Sequence, residues 1–143
     1  MASLPTRRFG RTELEIPLLS LGSMRFQQSW SDLPPEEISD TSQAQLQATL
    51  NRAVAEGFHH VETARHYGTS ERQLGWALPR APDPKRLLQS KVPPRDDVVA
   101  FEAELELSFE RLDCDRLDLL AIHGINLPDH LEQTLRPGGC MEV

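Results

Sequence analysis

The stretch Val61-Glu62-Thr63-Ala64-Arg65-His66-Tyr67-Gly68-Thr69-Ser70-Glu71 begins as a strand and ends as the first turn of a helix. It places a carboxylate at the end of an apolar segment, a phenol in the loop that follows and hydroxyls at the head of the helix. Ser70 reads as the helix cap, with Gln73 three residues on completing a capping box. Polar side chains at the carboxyl end of a strand, just before a helix, are how parallel α/β folds build sites. The strand itself starts at Phe58, and the helix buries Leu74, Ala77 and Leu78 before Pro79, Pro82 and Pro84 end it.

The same unit recurs on both sides. Upstream, a helix starting near Asp40 or Thr41 shows Leu46, Leu50, Ala53 and Val54 on one face and stops at Gly57. Before it lies a polar loop over residues 23–39, holding Trp30, Pro34 and Pro35, a length that is uncommon unless the loop is functional or mobile. Leu18-Leu19-Ser20-Leu21-Gly22 is a short apolar strand, and residues 7–17 form a hairpin that turns at Gly10; Pro17 interrupts its second arm and marks that arm as an edge. Downstream, Arg86–Val92 is a strand cut by Pro93-Pro94. Asp96 or Asp97 opens a helix with Val98, Phe101, Leu105, Ser108 or Phe109, and Leu112 repeating on one face. Leu117–Ile122 is apolar enough for a strand covered on both sides. Pro128 then opens a fourth helix that runs to Leu135. A hairpin followed by four β-α units predicts an α/β fold with a parallel sheet.

Composition narrows the class. The chain has 143 residues, a net charge of −7 and no Lys/Arg run, which argues against a nucleic-acid footprint. No apolar run reaches the roughly 18 residues of a membrane span, and Met1–Arg8 lacks the apolar segment of a signal peptide. Cys114 and Cys140 make neither a disulfide framework nor a metal-ligand set. These features lead us to expect a reduced, cytoplasmic protein without a bound metal.

Four titratable residues fall at three successive strand ends: Glu62, Tyr67 in the loop after it, Lys91, and His123. Each type suits reduction of a carbonyl group. A hydride reaches carbon while a proton must reach oxygen. Tyr67 serves as general acid, an ammonium from Lys91 stabilises the phenolate, Glu62 holds Lys91 in place, and His123 orients the carbonyl. No side chain carries a hydride, so a cofactor is required.

These residues bring the resemblance into view. Phe9-Gly10-Arg11-Thr12 with Leu14, Leu21-Gly22-Ser23-Met24-Arg25, Glu62-Thr63-Ala64 with Tyr67-Gly68-Thr69-Ser70-Glu71, Leu74-Gly75, Lys91-Val92, Ser108-Phe109-Glu110-Arg111-Leu112, Asp118-Leu119-Leu120 and His123-Gly124 occur in the order they have in the aldo-keto reductase family. The chain resembles the N-terminal half of that family. The resemblance implies a (β/α)8 TIM barrel capped by a β-hairpin, a nicotinamide cofactor (NADPH, or NADH), a small aldehyde or ketone as substrate, and a catalytic set at Glu62, Tyr67, Lys91 and His123. By position it also implies that Gly22, Ser23 and Met24 line the nicotinamide end.

Two departures stand out. The family's aspartate is Glu62 here. This pattern is similar to a bacterial branch whose members often carry a ferredoxin-like iron-sulfur domain, for which this chain has no Cys-rich segment. The chain also holds four β-α units where a barrel has eight. Residues 1–143 are therefore expected to be a single partial domain, a fragment of a larger barrel. Taken alone, such a half barrel is expected to be inactive, to aggregate, or to dimerise across its exposed sheet edges.

Two other functions compete. One is a barrel that has lost its chemistry and serves as a nucleotide-sensing or interaction subunit. The other is a metal-dependent barrel hydrolase built on His60, Glu62 and His66.

Overall fold

The computed structural model describes residues 4–142. Strands β1 (Thr6–Arg8) and β2 (Glu15–Pro17) form an antiparallel hairpin. Its second arm is an edge, as expected, but Pro17 does not break the pairing. It is the last residue of β2, opposite Thr6, and the pairing continues through the Leu18 amide, which donates to the Pro5 carbonyl at 2.9 Å. A proline is tolerated there because a two-stranded ribbon has only edge strands.

The four β-α units follow as anticipated. Strands β3 (Leu21–Gly22), β4 (His60–Glu62), β5 (Leu87–Val92) and β6 (Leu119–Ile122) lie side by side in chain order, all parallel. Helices α1 (Asp40–Ala55), α2 (Ser70–Ala77) and α3 (Val98–Leu112) connect them, and α4 (Pro128–Leu135) follows β6. Local chemistry sets the helix starts. The Ser39 side chain accepts from the Ser42 amide and the Asp97 side chain from the Ala100 amide. Helix α2 differs from the reading of its sequence. Thr69 occupies the cap and Ser70 is the first helical residue, because the Ser70 hydroxyl is drawn instead to Thr63 and Ser23, each at 2.9 Å. Gln73 closes no capping box; its side-chain oxygen accepts from the Thr69 hydroxyl at 2.7 Å.

Strand alternation sorts the sheet into two faces. Val61, Leu88, Ser90 and Val92 point towards the helices and are buried. There Val61 and Leu88 pack with Leu46, Leu50, Leu74 and Leu112, while Val92 packs with Phe101, Leu105 and Cys140. The other face carries His60 and Glu62 from β4, Gln89 and Lys91 from β5, and Ala121 in register with Lys91 from β6. Strand β6 is less covered on its faces than its composition suggested, and it forms an edge, as a half barrel requires. One flank has no ladder partner among the described residues, and Leu120 is 41% exposed.

Helices α2 and α3 cross at a point of direct backbone contact. A Cβ at Gly75 would stand 2.4 Å from the Arg111 carbonyl oxygen and 2.9 Å from the Leu112 carbonyl carbon. Alanine is the better helix former by about 1 kcal/mol, yet Gly75→Ala is expected to destabilise the fold by about 1–3 kcal/mol through overpacking. Urea unfolding reads this out. An unchanged or higher midpoint would show that the helices can separate without cost.

Candidate active site

The four residues expected to act together do converge. Glu62 ends β4, Lys91 is the penultimate residue of β5, His123 follows β6 directly, and Tyr67 lies in the loop between β4 and α2. Lys91 Nζ donates to a Glu62 carboxylate oxygen and, at 2.8 Å, to the Thr63 carbonyl. The same ammonium stands 4.9 Å from the centre of the Tyr67 ring, close enough for attraction to the ring's π-face. His123 meets Tyr67 edge-on, with ring centres 5.5 Å apart and an interplanar angle of 89°. The glutamate therefore reaches the lysine directly, and its extra methylene does not separate the pair.

Backbone hydrogen bonds carry this placement. The Thr63 amide donates to the Gln89 carbonyl and the Arg65 amide to the Lys91 carbonyl, both at 2.9 Å. The loop leaving β4 thus stays laced to β5 beyond the end of the ladder. The His123 amide donates to the Val92 carbonyl at 2.8 Å, doing the same between β5 and β6.

The state of His123 follows from its surroundings. Burial first, then the Lys91 ammonium and then His66, whose ring centre is 6.2 Å away, push its pKa below the ordinary histidine value. Its Nδ1 is buried without a hydrogen-bond partner among the described residues. A buried N–H with no acceptor is costly, which favours the neutral ring protonated on Nε2.

Of the residues expected to border a cofactor, Gly22 is exposed and lies in register with Glu62, while Met24 is half-buried. Ser23 is fully buried and committed inside the protein. Its amide and its hydroxyl both donate to the Glu62 carbonyl, at 2.9 and 2.8 Å.

The residues singled out for a metal do not assemble. His60 is buried and uses both ring nitrogens, Nδ1 with the Ser20 hydroxyl at 2.7 Å and Nε2 with the Gln89 side-chain oxygen at 3.0 Å. His66 points to solvent beside His123. Among the described residues no group of three or more His, Cys, Asp or Glu is arranged to hold a metal ion.

Burial also lowers the pKa of His60, with smaller opposing effects from Gln89 and Glu62. The folded chain thus takes up this proton at lower pH than the unfolded chain. Stability from His60 is full above the unfolded value of about 6.5 and is lost as pH falls from there through the folded value. His123 shifts in the same direction and adds to the effect. Denaturation midpoints are expected to fall between about pH 7.5 and pH 5, and the fall should be shallower in His60→Gln. An equal fall in wild type and variant would show that His60 contributes nothing to it.

Sequence reasoning missed a buried ionic network under the loop. Arg65, 6% exposed, donates to Glu71, which is 1% exposed. Its other terminal nitrogen donates to Asp32 at 2.8 Å, and Asp32 also accepts from Arg111. The second Glu71 oxygen accepts from the Ser90 hydroxyl at 2.6 Å. The loop over residues 23–39 is pinned by these contacts and by others. The Gln28 amide donates to the Thr69 hydroxyl at 2.8 Å and the Thr69 amide to the Ser29 carbonyl at 3.3 Å.

Comparison with known proteins agrees with this architecture. The family model described as "Aldo/keto reductase family" matches residues 18–137. Among solved structures, a candidate aldo-keto reductase from Pseudomonas aeruginosa superposes with a TM-score of 0.70 at 29% identity, covering 91% of this chain and 52% of that one. An aldo-keto reductase from Klebsiella pneumoniae in complex with NADPH gives 0.65 at 25% identity, over 92% of this chain and 44% of that one. An aldo/keto reductase from Brucella melitensis, at 21% identity and a TM-score of 0.65 over 92% and 46% of the two chains, supports the fold alone. The chain thus spans about half the length of the structures it matches. No curated protein matches it.

Proposed function

The chain belongs to the aldo/keto reductase family, and on that premise we propose that the cluster at the ends of β4, β5 and β6 reduces the carbonyl group of a small aldehyde or ketone with NADPH. The observation that carries this reading is Lys91, held by Glu62 and the Thr63 carbonyl while facing the Tyr67 ring, with His123 edge-on to the same ring. A phenol O–H, an imidazole N–H and an ammonium form a donor set suited to an oxygen that gains negative charge.

The cofactor fits that set, because it supplies the hydride that no side chain can. Gly22 and Met24 would border its nicotinamide end, and Ser23 would fix that turn by gripping the Glu62 carbonyl. Tyr67 donates its proton to the carbonyl oxygen. Lys91 stabilises the phenolate left behind, and Glu62 keeps the ammonium charged and aimed. His123, neutral with its proton on Nε2, polarises and orients the carbonyl. The NADPH complex of the Klebsiella pneumoniae structure supports the choice of cofactor.

One flank each of β3 and β6 lacks a ladder partner among the described residues. Further strands, from a longer polypeptide or from a second copy, complete the barrel that this chemistry requires. Two free cysteines fit a reducing, cytoplasmic setting.

Turnover of NADPH by the completed barrel, as a longer polypeptide or an assembled pair of copies, over a panel of aldehydes and ketones tests the proposal. Consumption with formation of the matching alcohol is expected. Tight cofactor binding without turnover across the panel would favour the nucleotide-sensing role instead.

A further inference from the structure

Glu71 lies outside the cluster and touches neither Tyr67 nor Lys91, yet its carboxylate joins the segments that carry them. One oxygen accepts from Arg65, two residues before Tyr67. The other accepts from the Ser90 hydroxyl, one residue before Lys91, at 2.6 Å. All three side chains are nearly or wholly removed from water, at 6%, 1% and 0% exposure for Arg65, Glu71 and Ser90. Strand alternation explains the route. Lys91 points to the open face of the sheet, so its neighbour Ser90 points to the helix face, where the first turn of α2 presents Glu71.

The geometry points to Glu71 as a positioning residue, which sets the distance between the Tyr67 phenol and the Lys91 ammonium by clamping Arg65 and Ser90 together. Arg65 is its partner in this role. The inference rests on the reductase reading for its functional meaning, but the clamp is a statement about structure and is testable without cofactor.

A buried ion pair is weak evidence of stabilisation in itself, since desolvation offsets much of the attraction. What it provides is direction. A guanidinium donates in a fixed planar fork, and a carboxylate with both oxygens engaged has one orientation. Asp32 extends the same lock to the loop before α1, because it accepts from Arg65 at 2.8 Å and from Arg111 on α3 at 3.1 Å. The Arg65 guanidinium therefore sits between two carboxylates, one from the loop over residues 23–39 and one from α2.

Tyr67 is the single tyrosine of the chain, so its ring signals in a nuclear magnetic resonance spectrum of selectively labelled protein need no further assignment. The His123 ring edge-on at 5.5 Å shifts those signals and gives a ring-to-ring Overhauser contact. In Glu71→Gln and in Ser90→Ala the contact is expected to weaken or vanish and the signals to move towards those of free tyrosine, with the dispersion of the core methyl signals kept. Ser90→Ala removes one hydroxyl and leaves every charge in place, so it reports even where Glu71→Gln unfolds. In turnover assays both variants should lose kcat by at least about ten-fold with KM nearly constant, as misorientation of a reacting group does. A folded Ser90→Ala protein with the Tyr67 signals, the His123 contact and kcat all unchanged would overturn the positioning role. Absence of turnover in the wild type would overturn the reductase reading alone, because the ring measurement stands without it.

Discussion

Tyr67→Phe is expected to lower carbonyl reduction by roughly 10²–10⁴-fold, the usual worth of a general acid, while cofactor affinity stays within about two-fold. The substitution removes one oxygen and keeps the ring. The edge-on packing against His123 and the contact with the Lys91 ammonium both involve the ring, so the local structure should survive. The lost group is the proton donor, and water is a poor replacement at a site lined by Lys91, His123 and the Thr63 carbonyl. Steady-state kinetics together with a fluorescence titration of NADPH separate the two effects. Near-normal turnover would mean that another group delivers the proton, and equal loss of turnover and cofactor binding would mean that Tyr67 acts in binding instead.

Gly68→Ala should destabilise the fold strongly, by about 2–5 kcal/mol. Two costs combine. The residue has φ near +53°, a left-handed conformation that costs a residue with a Cβ about 1–2 kcal/mol. The added methyl would also stand 1.8 Å from the Ser29 carbonyl oxygen and 2.8 Å from the carbonyl carbon of Trp30. Those are backbone atoms, so no rotamer change relieves the overlap, and repacking adds about 1–3 kcal/mol. The displaced segment is the one that Thr69 and Asp32 fasten to the Tyr67 loop, so activity should fall with stability. Chemical denaturation gives the first number. A loss below about 1 kcal/mol would mean that residues 29–30 move aside freely, and that the loop is far less fixed than its contacts indicate.

Much of this was legible in the chain because local chemistry and global fold agree there. The apolar faces of α1 and α3 and the strand ahead of each helix are periodic signals, and Glu62, Tyr67, Lys91 and His123 stand out by recurring at strand ends. What was not legible depended on partners distant in sequence. Thr69 and Ser70 are equally good caps in isolation, and only the proximity of Ser23, 47 residues earlier, takes the Ser70 hydroxyl away from the role. Arg65 looks like an ordinary loop charge and Glu71 like an ordinary first-turn helix charge until Asp32 and Ser90, 33 and 19 residues away in sequence, close around them. Leu119–Ile122 has the composition of a strand covered on both faces, and the exposure of Leu120 could not be read from the residues alone, since covering a face is a property of neighbours. The donation of the Ser23 amide and hydroxyl to the Glu62 carbonyl, 39 residues on, was likewise invisible in the sequence.

The most direct test of the site as a hydride-transfer centre uses NADPH carrying deuterium on the reactive face of the nicotinamide ring, with an aldehyde that the protein turns over. Mass analysis of the product alcohol is expected to show one deuterium on the former carbonyl carbon, delivered without exchange with water, and Tyr67→Phe should suppress its formation. Alcohol without the label, or labelled product formed equally well by Tyr67→Phe, would contradict a site in which NADPH supplies the hydride and Tyr67 the proton.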